Sequence, residues 1–206
     1  NINNTKFVYF SGTGTTEKYA KALERTLPGD IETIELDTSI TVDDQMGAED
    51  LLVLALPVYQ KFVPPFAWDC LENLKGSNTP AIVIATYGAR DYDNALFEMK
   101  NQLSSKGFIV IGGAALVARH SMITTVAADR PNTEDLDTVH QFGQNICILL
   151  QNADSVTDLP EVVFHGEQGG GPNGGVVPVV TDDCTLCGMC ATECPALAIP
   201  EDAPNT

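Results

Sequence analysis

A doubly wound α/β fold is predicted for this chain, with five parallel strands covered by helices and a small appended segment at the C-terminus. Two uninterrupted apolar runs, Leu51-Leu52-Val53-Leu54-Ala55-Leu56 and Ala81-Ile82-Val83-Ile84-Ala85, have the pattern of strands buried on both faces. Stretches with apolar residues at helical spacing lie between such runs, so strands alternate with helices, and each parallel connection needs a crossover. The glycine-rich stretch Gly169-Gly170-Gly171-Pro172-Asn173-Gly174-Gly175 then separates this pattern from a cluster of cysteines.

The first strand is Phe7-Val8-Tyr9-Phe10, and Tyr19, Ala20, Leu23 and Leu27 give one face of the helix after it. Between them lies Ser11-Gly12-Thr13-Gly14-Thr15-Thr16. Glycines allow close backbone approach, hydroxyls donate hydrogen bonds and the helix presents its positive end, so the loop can bind a phosphate monoester. A Walker loop would need Gly-Lys-Ser/Thr after four intervening residues, and a dinucleotide fingerprint would need glycine where Glu17 stands. Neither pattern is present. The remaining alternative is a Ser/Thr/Gly turn that only caps the helix.

Pro28-Gly29-Asp30 breaks the helix, and Ile31, Ile34 and Leu36 mark a short second strand before a polar connection over 38–50. Leu51 to Leu56 is the central strand. The loop Pro57-Val58-Tyr59-Gln60-Lys61-Phe62 follows it, and Pro64-Pro65 opens a helix that carries Cys70 and is expected to close at Gly76. The fourth strand leads into Thr86-Tyr87-Gly88-Ala89-Arg90-Asp91-Tyr92-Asp93. A helix through Ala95, Leu96, Met99 and Leu103 ends at Gly107, where a cap glycine belongs. Phe108 to Ala118 reads as a fifth strand without a long insertion, and Arg119-His120-Ser121-Met122 leaves its end. The last helix runs from Asn132 to about Asn152, with Leu136, Val139, Phe142, Ile146 and Leu149 facing the core.

The chain has 206 residues, 44% of them hydrophobic, and a net charge of -17. That charge argues against nucleic acid and against an anionic membrane surface, and a partner with a basic docking face is its natural counterpart. No apolar run approaches the ~18 residues of a membrane span, and no basic n-region precedes a hydrophobic signal core, so a cytoplasmic location is expected. Cys70 and Cys147 sit among apolar residues at helical spacing and are expected to pack in the core.

The other four cysteines form Cys184-Thr-Leu-Cys187-Gly-Met-Cys190-Ala-Thr-Glu-Cys194-Pro195. This is the C-x2-C-x2-C-x3-C-P run of bacterial iron–sulfur proteins, whereas structural zinc usually takes two separated C-x2-C knuckles. A 4Fe-4S cluster on Cys184, Cys187, Cys190 and Cys194 is therefore expected.

The order S-x-T-G-x-T directly after the first strand resembles the FMN phosphate loop of flavodoxins. With Pro57-Val-Tyr, Pro64-Pro65, Thr86-Tyr-Gly, Arg90, Tyr92-Asp93 and the cysteine run, the whole chain resembles the flavodoxin–ferredoxin fusion proteins of anaerobic microbes. The resemblance implies the strand order 2-1-3-4-5, a flavodoxin-like FMN domain over 1–160, a Gly/Pro-rich linker over 161–180 and a ferredoxin-type segment over 181–206. It also implies a function in electron transfer between a 4Fe-4S cluster, FMN and a redox protein partner. Ligands in such sheets bind at the switch point between strands 1 and 3. Ser11, Gly12, Thr13, Gly14, Thr15 and Thr16 would hold the FMN phosphate. The ring would lie among Pro57, Val58, Tyr59, Gln60, Lys61 and Phe62 and among Thr86, Tyr87, Gly88, Arg90, Tyr92 and Asp93, with tyrosines able to stack on it.

The rival function is an NAD(P)H-dependent FMN or quinone reductase, with Arg119 or His120 beside an open flavin face. The fusions carry two cysteine runs and this sequence carries one. In two-cluster ferredoxins the fourth cysteine of a run serves the other cluster, so the run is expected to be half of a module cut short, with its cluster incomplete or absent and its tail weakly anchored.

Overall fold

In a computed structural model, residues 1–167 and 179–203 are described. The expected linker falls largely outside the described residues. The elements are β1 (Asn4–Tyr9), α1 (Thr15–Glu24), β2 (Asp30–Glu35), β3 (Gln45–Met46), β4 (Asp50–Pro57), α2 (Phe66–Cys70), β5 (Lys75–Gly76), β6 (Thr79–Tyr87), α3 (Ala95–Ser105), β7 (Phe108–Val117), α4 (Thr133–Asn152) and α5 (Met189–Thr192), with a 3-10 turn at Val156–Asp158.

The main sheet has the order β2-β1-β4-β6-β7 with every pair parallel, which is the 2-1-3-4-5 order of its five long strands. Alternation along each strand divides the core between the two faces. Val8 and Phe10 join Leu52, Leu54, Leu56, Val83 and the apolar residues of α2 and α3 on one side. Phe7, Tyr9, Val53 and Ile82 meet Tyr19, Leu23, Val139 and Ile146 on the other, under α1 and α4. The central strand β4 is buried from Leu51 to Leu56, as its unbroken apolar run requires.

One reading of the sequence is corrected. The helix carrying Cys70 ends there and does not run to Gly76, because Lys75 and Gly76 form β5 beside β3. The N–H groups of Lys75, Gly76 and Ser77 bond Asp44, Lys106 and Met46 carbonyls at 3.0, 2.8 and 2.9 Å, so none of them is available to a helix. The connection over 38–50 contains β3 for the same reason. Gly107 sits just beyond α3 with φ 90°, and a Cβ there would collide with the Gly76 carbonyl, so its close approach to β5 demands glycine.

The cysteines outside the run pack as expected. Cys70 is buried and its thiol donates to Asp37 O at 3.1 Å, while half-buried Cys147 donates to Thr26 O at 2.9 Å. Burial raises both thiol pKa values, helped at Cys70 by Asp37 and Asp69. Among the described residues no helix is long and apolar enough to cross a membrane.

Candidate functional site

The loops after β1, β4 and β6 meet at the carboxyl edge of the sheet. Parallel pairing sets Pro57 beside Thr86, and Val58 N–H donates to Thr86 O at 2.8 Å. The buried hydroxyls of Thr16 and Thr86 lie 2.8 Å apart, tying the β1 loop to the β6 loop. Tyr59 closes the third side, since a Cβ on Gly12 would stand 3.2 Å from its hydroxyl. The three stretches singled out in the sequence therefore form one constellation.

The 11–16 loop is shaped as an anion cup. Gly14 takes a left-handed conformation, φ 75°, and is the cap of α1, with its N–H on Ser11 O at 3.3 Å. Ser11 Oγ accepts Glu17 N–H at 3.0 Å, and the first intrahelical bond is Lys18 N–H to Gly14 O at 3.3 Å. The N–H groups of Thr15 and Thr16 precede that bond and lie at the positive end of the helix. A Cβ added to Gly14 would meet nothing within 4 Å, so the cup is open in front of this residue. Thr13 is exposed and Thr15 is buried. Such a cup fits a phosphate monoester held by neutral donors.

The 57–62 and 86–93 loops are hydrogen-bonded to each other and locally strained. Tyr59 and Phe62 exchange backbone hydrogen bonds at 2.8 and 3.3 Å around Gln60, whose φ is 62°. Ala89 and Asp93 also have positive φ, 62° and 43°, so three non-glycine residues of these loops occupy the left-handed region. Arg90 pairs with Asp93 and donates to Gln60 O at 3.0 Å, and Asn94 N–H reaches Lys61 O at 3.0 Å, locking the loops together. Tyr87 and Tyr92 pack edge to face at 5.9 Å, while Tyr59 packs edge to face on Phe10 at 6.3 Å. Tyr59 and Tyr92 remain 38% and 39% exposed, which leaves aromatic surface for a flat ring. Partial burial raises the Tyr59 pKa above the ordinary tyrosine value.

Sequence reasoning missed Glu98 of α3. Its carboxylate accepts Val63 N–H at 3.0 Å and Trp68 Nε1–H at 2.8 Å, fixing the end of the 57–62 loop. No motif marks it, because its partners lie about thirty residues away. His120 and Arg119 have structural duties. His120 Nδ1 accepts the N–H groups of Met122 and Ile123 at 3.2 and 3.1 Å, its ring packs against Gly88, and Arg119 donates to Thr124 O at 3.1 Å. A cavity of about 410 Å³ lined by Ile2, Pro28, Cys147 and Leu159 lies away from these loops, where α4 meets the amino ends of the strands.

In the cysteine segment, left-handed Gly188 caps the short α5. The Cys187 thiol pKa is lowered by the N–H of Met189 and by Thr185, and that of Cys194 by backbone N–H groups led by Ala198. Four thiols in this run, with N–H donors that favour thiolate, are chemically suited to an iron–sulfur cluster. Among the described residues, however, no three His, Cys, Asp or Glu side chains are gathered as a metal site. Among the described residues of the segment only Ala191 is buried, whereas Leu186, Met189 and Leu197 are 58, 68 and 67% exposed.

Residues 177–199 match the family described as 4Fe-4S binding domain. The flavodoxin of Streptococcus pneumoniae TIGR4 superposes with a TM-score of 0.50 at 21% identity, over 70% of this chain and 98% of that one. A flavodoxin from the domain Archaea matches with a TM-score of 0.50 at 14% identity, over 72% and 99%. Rubredoxin oxygen:oxidoreductase from the anaerobe Desulfovibrio gigas matches with a TM-score of 0.53 at 14% identity, over 72% of this chain and 36% of its own. No curated protein matches the chain. At these identities the superpositions show the fold, which is flavodoxin-like.

Proposed function

We propose that this chain, which joins a flavodoxin-like fold to a segment matching the 4Fe-4S binding domain, is an electron-transfer flavoprotein that binds one FMN. The observation that carries this reading is the meeting of an open, lysine-free anion cup with two aromatic loops at the switch point of the sheet. Bound FMN would supply one-electron chemistry. Ser11, Thr13, Thr15 and Thr16 would hold the phosphate through hydroxyl and N–H donors. Tyr59, Tyr87 and Tyr92 would flank the ring, and the Arg90–Gln60–Lys61–Asn94 contacts would keep it from reorganising its surround during transfer.

Cys184, Cys187, Cys190 and Cys194 would hold a 4Fe-4S cluster as a second one-electron store. The redox partner is proposed to be a protein with a basic face, because no Lys or Arg follows Arg130 and the net charge is -17. Rapid mixing separates this carrier from a pyridine-nucleotide reductase. Fast flavin bleaching is expected with a reduced redox protein and only slow bleaching with NADH or NADPH; fast bleaching by either nucleotide alone would overturn the carrier reading.

A further inference from the structure

The segment that carries the cysteine run touches the flavodoxin-like fold at a defined point. Thr38 donates both its N–H, at 3.1 Å, and its hydroxyl, at 3.3 Å, to the carbonyl of Pro195, the residue directly after Cys194. Thr38 lies just beyond β2. Leu36 N–H still pairs with Tyr9 O at 2.7 Å, so the contact is on the same carboxyl edge as the 11–16 cup, beyond the strand that neighbours β1. The receiving loop is preorganised: Ser39 N–H and Oγ–H bond Asp37 Oδ1 at 2.7 and 2.6 Å, Ile40 N–H bonds Asp37 O at 3.2 Å, and Cys70 and Val42 anchor it from below.

Electrostatics opposes this contact. The described segment carries Asp182, Asp183, Glu193, Glu201 and Asp202 with no Lys or Arg; Glu193 stands two residues before Pro195, and Glu35 and Asp37 precede Thr38 on the receiving side. On the same carboxyl edge Arg90 is committed to Asp93 and Gln60 O. Like charges across a surface contact repel over a distance set by salt, about 30 Å at 0.01 M and about 8 Å at 0.15 M.

We infer that the Thr38 loop is an intramolecular docking site for the cysteine segment, and that ionic strength sets its occupancy, with salt favouring the docked state. The docked state brings the Cys194 end of the run beside the cup; the undocked state leaves both acidic faces open to a basic partner. This gives low salt and a basic partner the same effect, release of the segment. The inference rests on the electron-transfer reading for its purpose but not for its test.

Hydrogen–deuterium exchange of the full chain, purified without oxygen, reads docking directly at peptides spanning 36–42 and 189–199. Both should exchange at least about twofold more slowly at 0.5 M than at 0.01 M NaCl, while β1 and α1 peptides stay unchanged. Thr38→Glu should speed both at high salt, and the double change Asp182→Asn with Asp183→Asn should slow both at low salt. Exchange insensitive to salt and to both variants would overturn the docking site. The measurement needs no flavin signal, so loss of FMN binding and loss of docking are separate outcomes.

Discussion

Lys6 shows how a single residue ties the amino half of the sheet together. Its side chain is 10% exposed inside β1, yet it stays charged because Glu32 on β2 and Asp44 before β3 each lie 2.7 Å away. Burial pushes its pKa down, but the hydrogen bonds from Asp44 and Glu32 outweigh this and hold it above the ordinary lysine value, while Lys6 holds Asp44 below the ordinary carboxylate value. Lys6→Met would leave two carboxylates facing each other, at a cost of about 1–2 kcal/mol after allowance for the exposure of both partners. A raised lysine contributes fully below its unfolded pKa of about 10.4 and loses that contribution as pH rises through its folded value. A lowered aspartate contributes above its unfolded pKa of about 3.9 and loses it as pH falls through its folded value. Urea unfolding of wild type and variant should therefore show the largest gap between about pH 5 and 9, shrinking towards both extremes; an equal gap at all pH values would contradict the ion-pair account. The sequence did not reveal this pair, since Lys6 looks like a surface lysine until β3 brings Asp44 to it. The hydroxyls and glycines of the cup were legible, because their chemistry lies in one continuous stretch.

At the scale of elements, periodicity located every long strand and helix, and short-range signals placed Gly107 correctly just beyond α3. α4 begins with the capping box of Asn132 and Asp135, and Asp135 also binds Arg130 and receives Asn132 N–H at 2.9 Å. The sequence misled where partners were remote. Gly76 has the look of a helix cap, but its backbone serves β5 and the passage of Gly107, a packing relation that no local pattern encodes. Gly143 is a second case. In the middle of a helix glycine is unfavourable by ~1 kcal/mol, yet here it lets α4 lie against α1, because a Cβ would collide with Thr26 Oγ and stand 2.9 Å from Leu23 Cδ1. Gly143→Ala is expected to lower stability by about 1–2 kcal/mol despite the better helix propensity, with a matching fall in thermal midpoint. A rise in stability would mean that α1 and α4 are not packed this closely.

Across the whole molecule, charge and topology assign different jobs to different surfaces. Every lysine and arginine lies at or before Arg130, and the charged side chains after it are Asp and Glu, with two histidines. The carboxyl edge of the sheet collects the cup, the tyrosines and the docking loop, as expected for ligand sites in doubly wound sheets. The central claim is that this edge holds FMN through neutral donors at Ser11 to Thr16. Its most direct test is a fluorescence titration of the flavin-free chain with FMN, beside Gly14→Val. Valine there must adopt φ near 75°, which a β-branched residue resists, and it would project into the open cup. The account predicts one-to-one quenching at micromolar or lower FMN for the wild type, and an affinity at least about tenfold weaker for the variant, the equivalent of ~1.4 kcal/mol. Unquenched FMN with the wild type, or equal affinity for both proteins, would contradict it.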